Sequence, residues 1–350
     1  MEALNIYGRQ IGKGHPPFFI AEIGSNHNGD MRLARKLIDE AVAAGADAVK
    51  FQSWTKDSLV CKEEYERNTK YADTTRHFGS LEEMIEKYQF TPEQHQEIAT
   101  YCEKKEILFI STPFSMDEAD LLEKLGVPFF KIASMDINHL PLLEHIGSKG
   151  KPVILSTGMS SLGEIERALT ILRRAGSGPL CLLHCIAVYP PKYEDINLKN
   201  IQMLQRAFDV PVGFSDHTQG TSIPLAALAL GACVIEKHFT LDHDMPGWDH
   251  WISADPVEMR QLTKEGMNIF NALGSEVRVI NSDELAKKLA FRRSCVAARI
   301  LPSGHIMTKQ DLNYKRPGNG IHPDEFNYII GRTLKRNVGE DKILSWEDFI

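Results

Sequence analysis

Eight short runs of apolar, aromatic and β-branched residues punctuate the first 240 positions of this chain, each nearly all apolar in its first half and carrying polar residues in its second. They are PFFIAEIG (17–24), DAVKFQ (47–52), ILFISTPF (107–114), PFFKIASM (128–135), PVILSTGM (152–159), LCLLHCIA (180–187), PVGFSDH (211–217) and CVIEKHFT (233–240). An apolar run without alternating polarity reads as a strand covered on both faces, the condition of a parallel sheet. The stretches between them carry a helical period. After the first run, Asp30 can cap a helix with Leu33, Ala34, Leu37, Ile38, Ala41 and Val42 on one face, and Gly45 ends it. TPEQ at 91–94 gives Thr91 as N-cap, Pro92 at the first helical position and Gln94 closing a capping box. Further helices are expected over 162–175, 198–208, 222–231 and 256–273. This alternation predicts an α/β fold, a (β/α)8 TIM barrel over roughly residues 15–275. A doubly wound open sheet is the competing architecture, but no GxGxxG follows the first run.

The character changes after the barrel. We expect a catalytic domain over 1–275, a polar linker with a short helix over 276–289, and a small, mostly β domain over 290–350. No internal repeat is evident, and the connection 53–90 is long enough to act as a lid or an interface. With a formal charge of -7 and no dense Lys/Arg run, nucleic acid is not expected as a partner. No signal peptide and no apolar stretch of about 18 residues is visible, so a cytoplasmic protein without a membrane anchor is expected. The six cysteines form no CxxC pattern, and Cys181 and Cys185 are expected as buried thiols.

In a barrel the C-terminal strand ends face the active site, and here all eight are polar. They present Glu22, Lys50 with Gln52, Ser111 with Thr112, Lys131 with Ser134, Ser156 with Thr157, His184, Ser215 with His217, and Glu236 with His238. The two-residue period of a strand puts Lys50 with Gln52, Ser215 with His217, and Glu236 with His238 on common faces. His217 and His238 end neighbouring strands, an arrangement suited to a catalytic divalent ion, with Asp216 and Glu236 available to orient the rings. Lys50 and Lys131 would repel one another across the mouth, which favours an anionic ligand between them, near the hydroxyls of Thr112, Ser134 and Ser215. A Schiff-base aldolase with Lys131 as nucleophile is the rival chemistry. The loop DHDMPGWDHW (242–251) has an aromatic and acidic mix that suits sugar hydroxyls.

These motifs together resemble the sialic acid (nonulosonate, N-acetylneuraminate) synthases, from IAEIGSNHNGD, GADAVKFQ, STPF and KIAS through LSTGM, LLHC…YP, GFSDHT and EKHFT. KRPGNGI (315–321) resembles the hallmark of that family's C-terminal antifreeze-like (SAF) domain. The resemblance implies condensation of phosphoenolpyruvate (PEP) with an N-acylated hexosamine, such as N-acetylmannosamine, to give a nine-carbon 2-keto acid and phosphate. It implies that His217 and His238 bind manganese, with magnesium or cobalt as alternatives, and that Lys50, Thr112, Lys131, Ser134 and Ser215 hold PEP. Gln52, Asp136, Tyr189, Asp249 and Arg316 would serve the acceptor, Arg316 from the small domain of a partner in a domain-swapped homodimer. Glu22 also borders the acceptor and is, with a water on the metal, a candidate to activate the attacking water. Two departures bear on the substrates: Ala187 stands where several relatives carry Asn or Ser, and Trp248 and Trp251 enlarge the loop after the last strand. Another aldose acceptor, as in deoxy-sugar acid synthases, and a catalytically silent sugar-binding protein are the competing functions.

Overall fold

The computed structural model describes residues 3–68 and 79–350 and contains two compact units, Met1–Gly274 and Ser275–Ile350. The first opens with a hairpin, β1 (Leu4–Ile6) and β2 (Arg9–Ile11), joined through Tyr7 and Gly8 at φ 49° and 87°. Eight parallel strands follow: β3 (Phe18–Gly24), β4 (Ala48–Ser53), β5 (Leu108–Pro113), β6 (Phe130–Ile132), β7 (Val153–Ser156), β8 (Leu180–Cys185), β9 (Val212–Asp216) and β10 (Val234–His238). Each falls inside or beside the corresponding sequence run. Their order is β5-β4-β3-β10-β9-β8-β7-β6, so the last strand closes against the first, as in a (β/α)8 barrel. β5 and β6 lie side by side without ladder bonds between them, the one open joint in the wall.

The helices form where the caps and periods indicate. Asp30 accepts from the Arg32 N–H at the start of Met31–Ala43, which buries Ala34, Leu37, Ile38 and Ala41. Val42 is on the exposed side instead. Thr91 and Gln94 close a capping box at Pro92–Lys104, and Leu162–Ala175 and Pro256–Leu273 start on further boxes. Two apolar layers result. The outer one lies between sheet and helices. The inner one fills the barrel with Phe18, Ile20, Ala48, Ile110, Phe129, Ile154, Cys181 and Leu183, and Leu4, Ile6 and Ile11 of the hairpin join it. The hairpin therefore plugs the N-terminal end of the barrel and leaves the C-terminal end as the mouth. Of the long connection 53–90, residues 69–78 lie outside the described residues. The described part forms short helices whose Tyr65, Met84, Ile85 and Tyr88 pack with Trp54, against which Phe114 and Trp248 also lie. No described helix is long and apolar enough to cross a membrane.

The second unit carries a helix, Ser282–Phe291, and a small β structure built on β11 (Ser294–Ala297) and β12 (Leu312–Lys315). It contains an internal repeat that the residue identities hide. RILPSGHIMTKQDL (299–312) and RNVGEDKILSWEDF (336–349) share a plan: Arg299 pairs with Asp311 and Arg336 with Asp348, while Thr308–Asp311 and Ser345–Asp348 make matching capping boxes. The equivalent Leu301 and Val338 bridge one another. The capping and pairing residues and the apolar positions Leu301/Val338, Ile306/Ile343, Met307/Leu344 and Leu312/Phe349 keep their types while the rest diverge, so the expectation of no repeat fails.

Candidate active site

Strand register sets the inward polar residues of the barrel mouth on neighbouring rungs: His238 beside Glu22 and Glu22 beside Lys50 on one, Gln52 beside Thr112 a step above it, and Glu236 beside Ser215 a step below. All except the partly exposed Gln52 are buried. The Lys50 ammonium lies 2.9 Å from Glu22 Oε2 and 3.6 Å from Glu236 Oε2, and donates to Thr112 Oγ1 at 3.2 Å. Lys131 lies 3.7 Å from Glu236 Oε1 and donates to Ser156 Oγ at 2.7 Å and to the Ile132 carbonyl at 3.0 Å. Ser215 Oγ donates to Glu236 Oε1 at 3.0 Å, and the Gln52 amide donates to Glu22 Oε1 at 3.0 Å.

Glu236 is thus the hub of the site. The sequence placed it only as an orienting partner of a histidine. The repulsion expected between Lys50 and Lys131 is met by this carboxylate, so the chain itself supplies an anion between them. An external anion is still favoured on charge. Burial pushes the Glu22 carboxyl up to about 7, helped by Glu236 and opposed by Lys50. Burial also raises Glu236, but Lys131 and Lys50 outweigh it and hold the group below its usual range. Near neutral pH two ammonium groups therefore face one full carboxylate and one that is partly protonated. Lys131, disfavoured by burial more than Glu236 rescues it, is lowered from its ordinary value.

Beside this network stand His217 and His238, with ring centroids 5.4 Å apart. Tyr189 covers them, 4.0 Å from the His217 ring and 5.9 Å from that of His238. His217 Nδ1 lies 2.8 Å from the Ile186 carbonyl, which only accepts, so that nitrogen carries the proton; burial lowers the ring, but the Cys185 thiol and the Ile186 carbonyl outweigh it and raise the group from its ordinary value. Burial holds His238 well below its ordinary range, assisted by His217 and Lys50, and keeps it a neutral imidazole. Its buried Nδ1 has no hydrogen-bond partner, and Asp249 Oδ2 lies 3.6 Å away. Two buried imidazoles, one neutral with an orphaned nitrogen and one with its second nitrogen anchored, fit the donor set of a divalent ion. Asp216 does not orient them: it pairs with Lys237 at 2.7 Å on the outer face of the sheet.

A family model described as the NeuB family matches residues 37–278, and one for the SAF domain matches 292–350. The chain belongs to the NeuB family. Among its relatives, the N,N'-diacetyllegionaminic acid synthase of Campylobacter jejuni is 42% identical over 93% of this chain and 98% of its own. The human N-acetylneuraminate-9-phosphate synthase is 35% identical over 97% of this chain and 94% of its own. The crystal structure of an N-acetylneuraminic acid synthetase from Leptospira borgpetersenii, in complex with citrate, superposes with a TM-score of 0.72 at 37% identity, covering 82% of this chain and 95% of that one.

The NeuB barrel brings together Glu22, Lys50, Gln52, Thr112, Lys131 and Ser215 in one network, and Tyr189, His217, His238 and Asp249 in an adjoining cluster. Ser134 stands between β6 and β7, accepting from the Gly158 N–H at 3.0 Å. Ala187 borders the same spot: a Cβ on Gly158 would meet Ser134 Oγ at 2.8 Å and the Ala187 methyl at 3.3 Å. Asp136 follows in a 3-10 turn, with Oδ2 buried and unpartnered, and burial lifts its carboxyl to about 6 against the pull of Lys131. Arg316 lies in the second unit, 5.0 Å above the Phe291 ring. Sequence reasoning left out two members of the site. Ser156, read only as a polar strand end, bonds Lys131. Cys185 is buried as expected, but its thiol also bonds His217 and Ser134, which outweigh burial and lower it from its ordinary value. Its place on the inward face of β8 was legible from the period of two.

Proposed function

We propose that this NeuB barrel condenses PEP with an N-acylated hexosamine, such as N-acetylmannosamine or a diacetamido-dideoxy relative, to give a nine-carbon 2-keto acid and phosphate. The observation that carries this reading is a pair of buried ammonium groups sharing one carboxylate beside two paired imidazoles, at the mouth of a barrel whose relatives are named as synthases of such acids. Lys50 and Lys131, with the hydroxyls of Thr112, Ser134 and Ser215, hold the phosphate and carboxylate of PEP. Gln52, Asp136, Tyr189 and Asp249 line the acceptor end. His217 and His238 hold a divalent ion, manganese first and magnesium or cobalt as alternatives, and that ion supplies Lewis-acid polarisation of the sugar aldehyde when bound. The PEP methylene carbon forms the new C–C bond and water adds at the former C2. Glu22, whose carboxyl burial lifts to about 7, takes the proton from that water in this reading. The C2–O bond to the phosphate group then breaks, the electron pair leaving on phosphate as the C2 hydroxyl loses its proton to become the ketone, and the two lysines stabilise the departing charge.

A second copy of the chain completes the site in this reading. Met135, Met159, Val188 and Tyr189 follow the strand ends and are exposed, leaving an apolar rim round the mouth. Arg316 of a partner would be the residue that covers it. The reaction is tested by measuring phosphate release from PEP with manganese, with and without chelator, across N-acetylmannosamine, mannose and 2,4-diacetamido-6-deoxy hexoses. Chelator-sensitive release with one N-acyl sugar is expected. Release without any sugar dependence, or none from folded, metal-loaded protein, would overturn the reading. An Ala187→Asn variant on the same panel shows whether a polar group beside Ser134 strengthens PEP binding.

A further inference from the structure

The stretch SNHNG (25–29) after β3 contributes nothing directly to the network, yet Asn26 and His27 are almost wholly buried. The Asn26 side-chain amide donates twice, to the Phe239 carbonyl at 2.9 Å and to Ser253 Oγ at 2.9 Å. Ser253 Oγ in turn donates to the Asp249 carbonyl at 2.6 Å. Phe239 immediately follows His238, so one amide grips both ends of the excursion 239–253. The base of that excursion is closed by the Ala254 N–H on the His238 carbonyl at 2.7 Å and the Thr240 N–H on the Ala254 carbonyl at 3.0 Å. A second grip lies further out: the Asn28 amide donates to the Pro246 carbonyl at 2.8 Å, and its Oδ1 lies 3.3 Å from His250 Nε2. The fit there is close, since a Cβ on Gly247 would stand 2.3 Å from His250 Cδ2 and 2.7 Å from Asn28 Oδ1.

We propose that Asn26, acting through Ser253, is a positioning residue that sets the Asp249 carboxylate against His238 and thereby fixes the acceptor end of the site. Neither residue touches the lysine network, so the effect falls on one substrate only. The inference rests on the reading of Asp249 as an acceptor-site residue. A purely structural role for the same hydrogen bonds would lower stability and disturb both substrates alike.

The test uses the full-length, manganese-loaded protein and the variants Ser253→Ala and Asn26→Asp, alone and with Asp249→Ala. Asn26→Asp removes the double donor in a fully buried place, so Ser253→Ala, which cuts only the arm to Asp249, decides if that variant does not fold. Ser253→Ala is expected to raise the acceptor KM about fivefold and leave the PEP KM within about twofold, as loss of a single net hydrogen bond would do. In the Asp249→Ala background the same change is expected to have no further effect, because the two act in series. Equal rises in both KM values, or additivity with Asp249→Ala, would overturn the proposal. A readout independent of turnover is the His238 ring nitrogen signals of metal-free protein labelled with 15N-histidine. They are expected to move in Ser253→Ala in the direction they move in Asp249→Ala, with His217 displaced less. If the wild-type protein turns over no sugar on the panel, the proposed reaction falls and this spectrum alone judges the positioning: an unmoved His238 signal defeats it.

Discussion

At the scale of single residues, the site is governed by how much charge it holds buried. Glu22 keeps a proton in the folded chain up to about pH 7, whereas the free carboxyl loses it near 4.5. Between those values the native state binds a proton that the unfolded state does not, so its contribution to stability is present below about pH 4.5 and is lost as pH rises through about 7. Metal-free protein is expected to lose a few degrees of Tm across that window, and Glu22→Gln to flatten the loss, measured by thermal unfolding at several pH values. Lys131 separates the two chemistries left open by the sequence. Its lowered pKa suits an amine nucleophile, but its ammonium is held by Ser156, Ile132 and Glu236. Borohydride with pyruvate is therefore expected to leave the protein mass unchanged, and Lys131→Met to raise the PEP KM about a hundredfold, the order expected when a buried charge loses its partner. A trapped adduct on Lys131 would restore the aldolase reading. The strand-end residues were legible because the period of two allows each residue only one of two faces, but His184, expected at the mouth, is on the other face of β8 from Cys185 and meets the Ile196 carbonyl at 2.6 Å. Glu236 was underread because sequence shows that a carboxylate faces inward, not that two lysines from other strands converge on it.

At the scale of elements, every barrel strand was visible as an apolar run and Pro92–Lys104 through its capping box, whereas the helices Met116–Lys124 and Leu140–Gly147 were not foreseen. What misread was the far end of several strands. Ser134, Gly158 and Ala187 continue a β-like composition, yet they lie beyond β6, β7 and β8, where the chain turns to build the mouth. The N-terminal hairpin was not seen at all. Its strands have three residues each, too few for a period to show, and its turn residues Tyr7 and Gly8 do not spell the usual Asn-Gly signal. Its role is nevertheless large, since Leu4, Ile6 and Ile11 are buried in the barrel interior. Arg9 pins it from outside through Asp47, whose carboxylate also accepts from the Phe19 N–H at 2.7 Å. Deleting residues 1–12 is expected to cost at least about 5 kcal/mol, at roughly 1.5–3 kcal/mol for each buried aliphatic side chain, measured by urea unfolding of the barrel. A loss below about 1 kcal/mol would mean that the plug is ornamental.

At the scale of the whole molecule, the question is where Arg316 works. If it serves a partner's barrel, co-expressing Arg316→Ala and Lys131→Met chains restores activity that neither variant has alone. Half of the dimers would then be mixed, with one complete site of two, so about a quarter of wild-type activity is expected for a closed two-fold assembly. No recovery would place Arg316 in its own chain's site or outside any site. Sequence alone could raise this question but not answer it, because apolar rims and cations look the same whether a protein covers its own mouth or another's. The barrel wall answers a different one. Its ladder is continuous from Thr112 on β5 round to Lys131 on β6 except at the joint between those two strands, and β6 is the shortest stave. Mechanically the mouth is a split hoop rather than a closed ring. The span from Thr112 to Lys131 is its compliant dimension and the span from Lys50 to His238 its stiff one, so any widening of the mouth falls between β5 and β6 while the histidine side keeps its gauge.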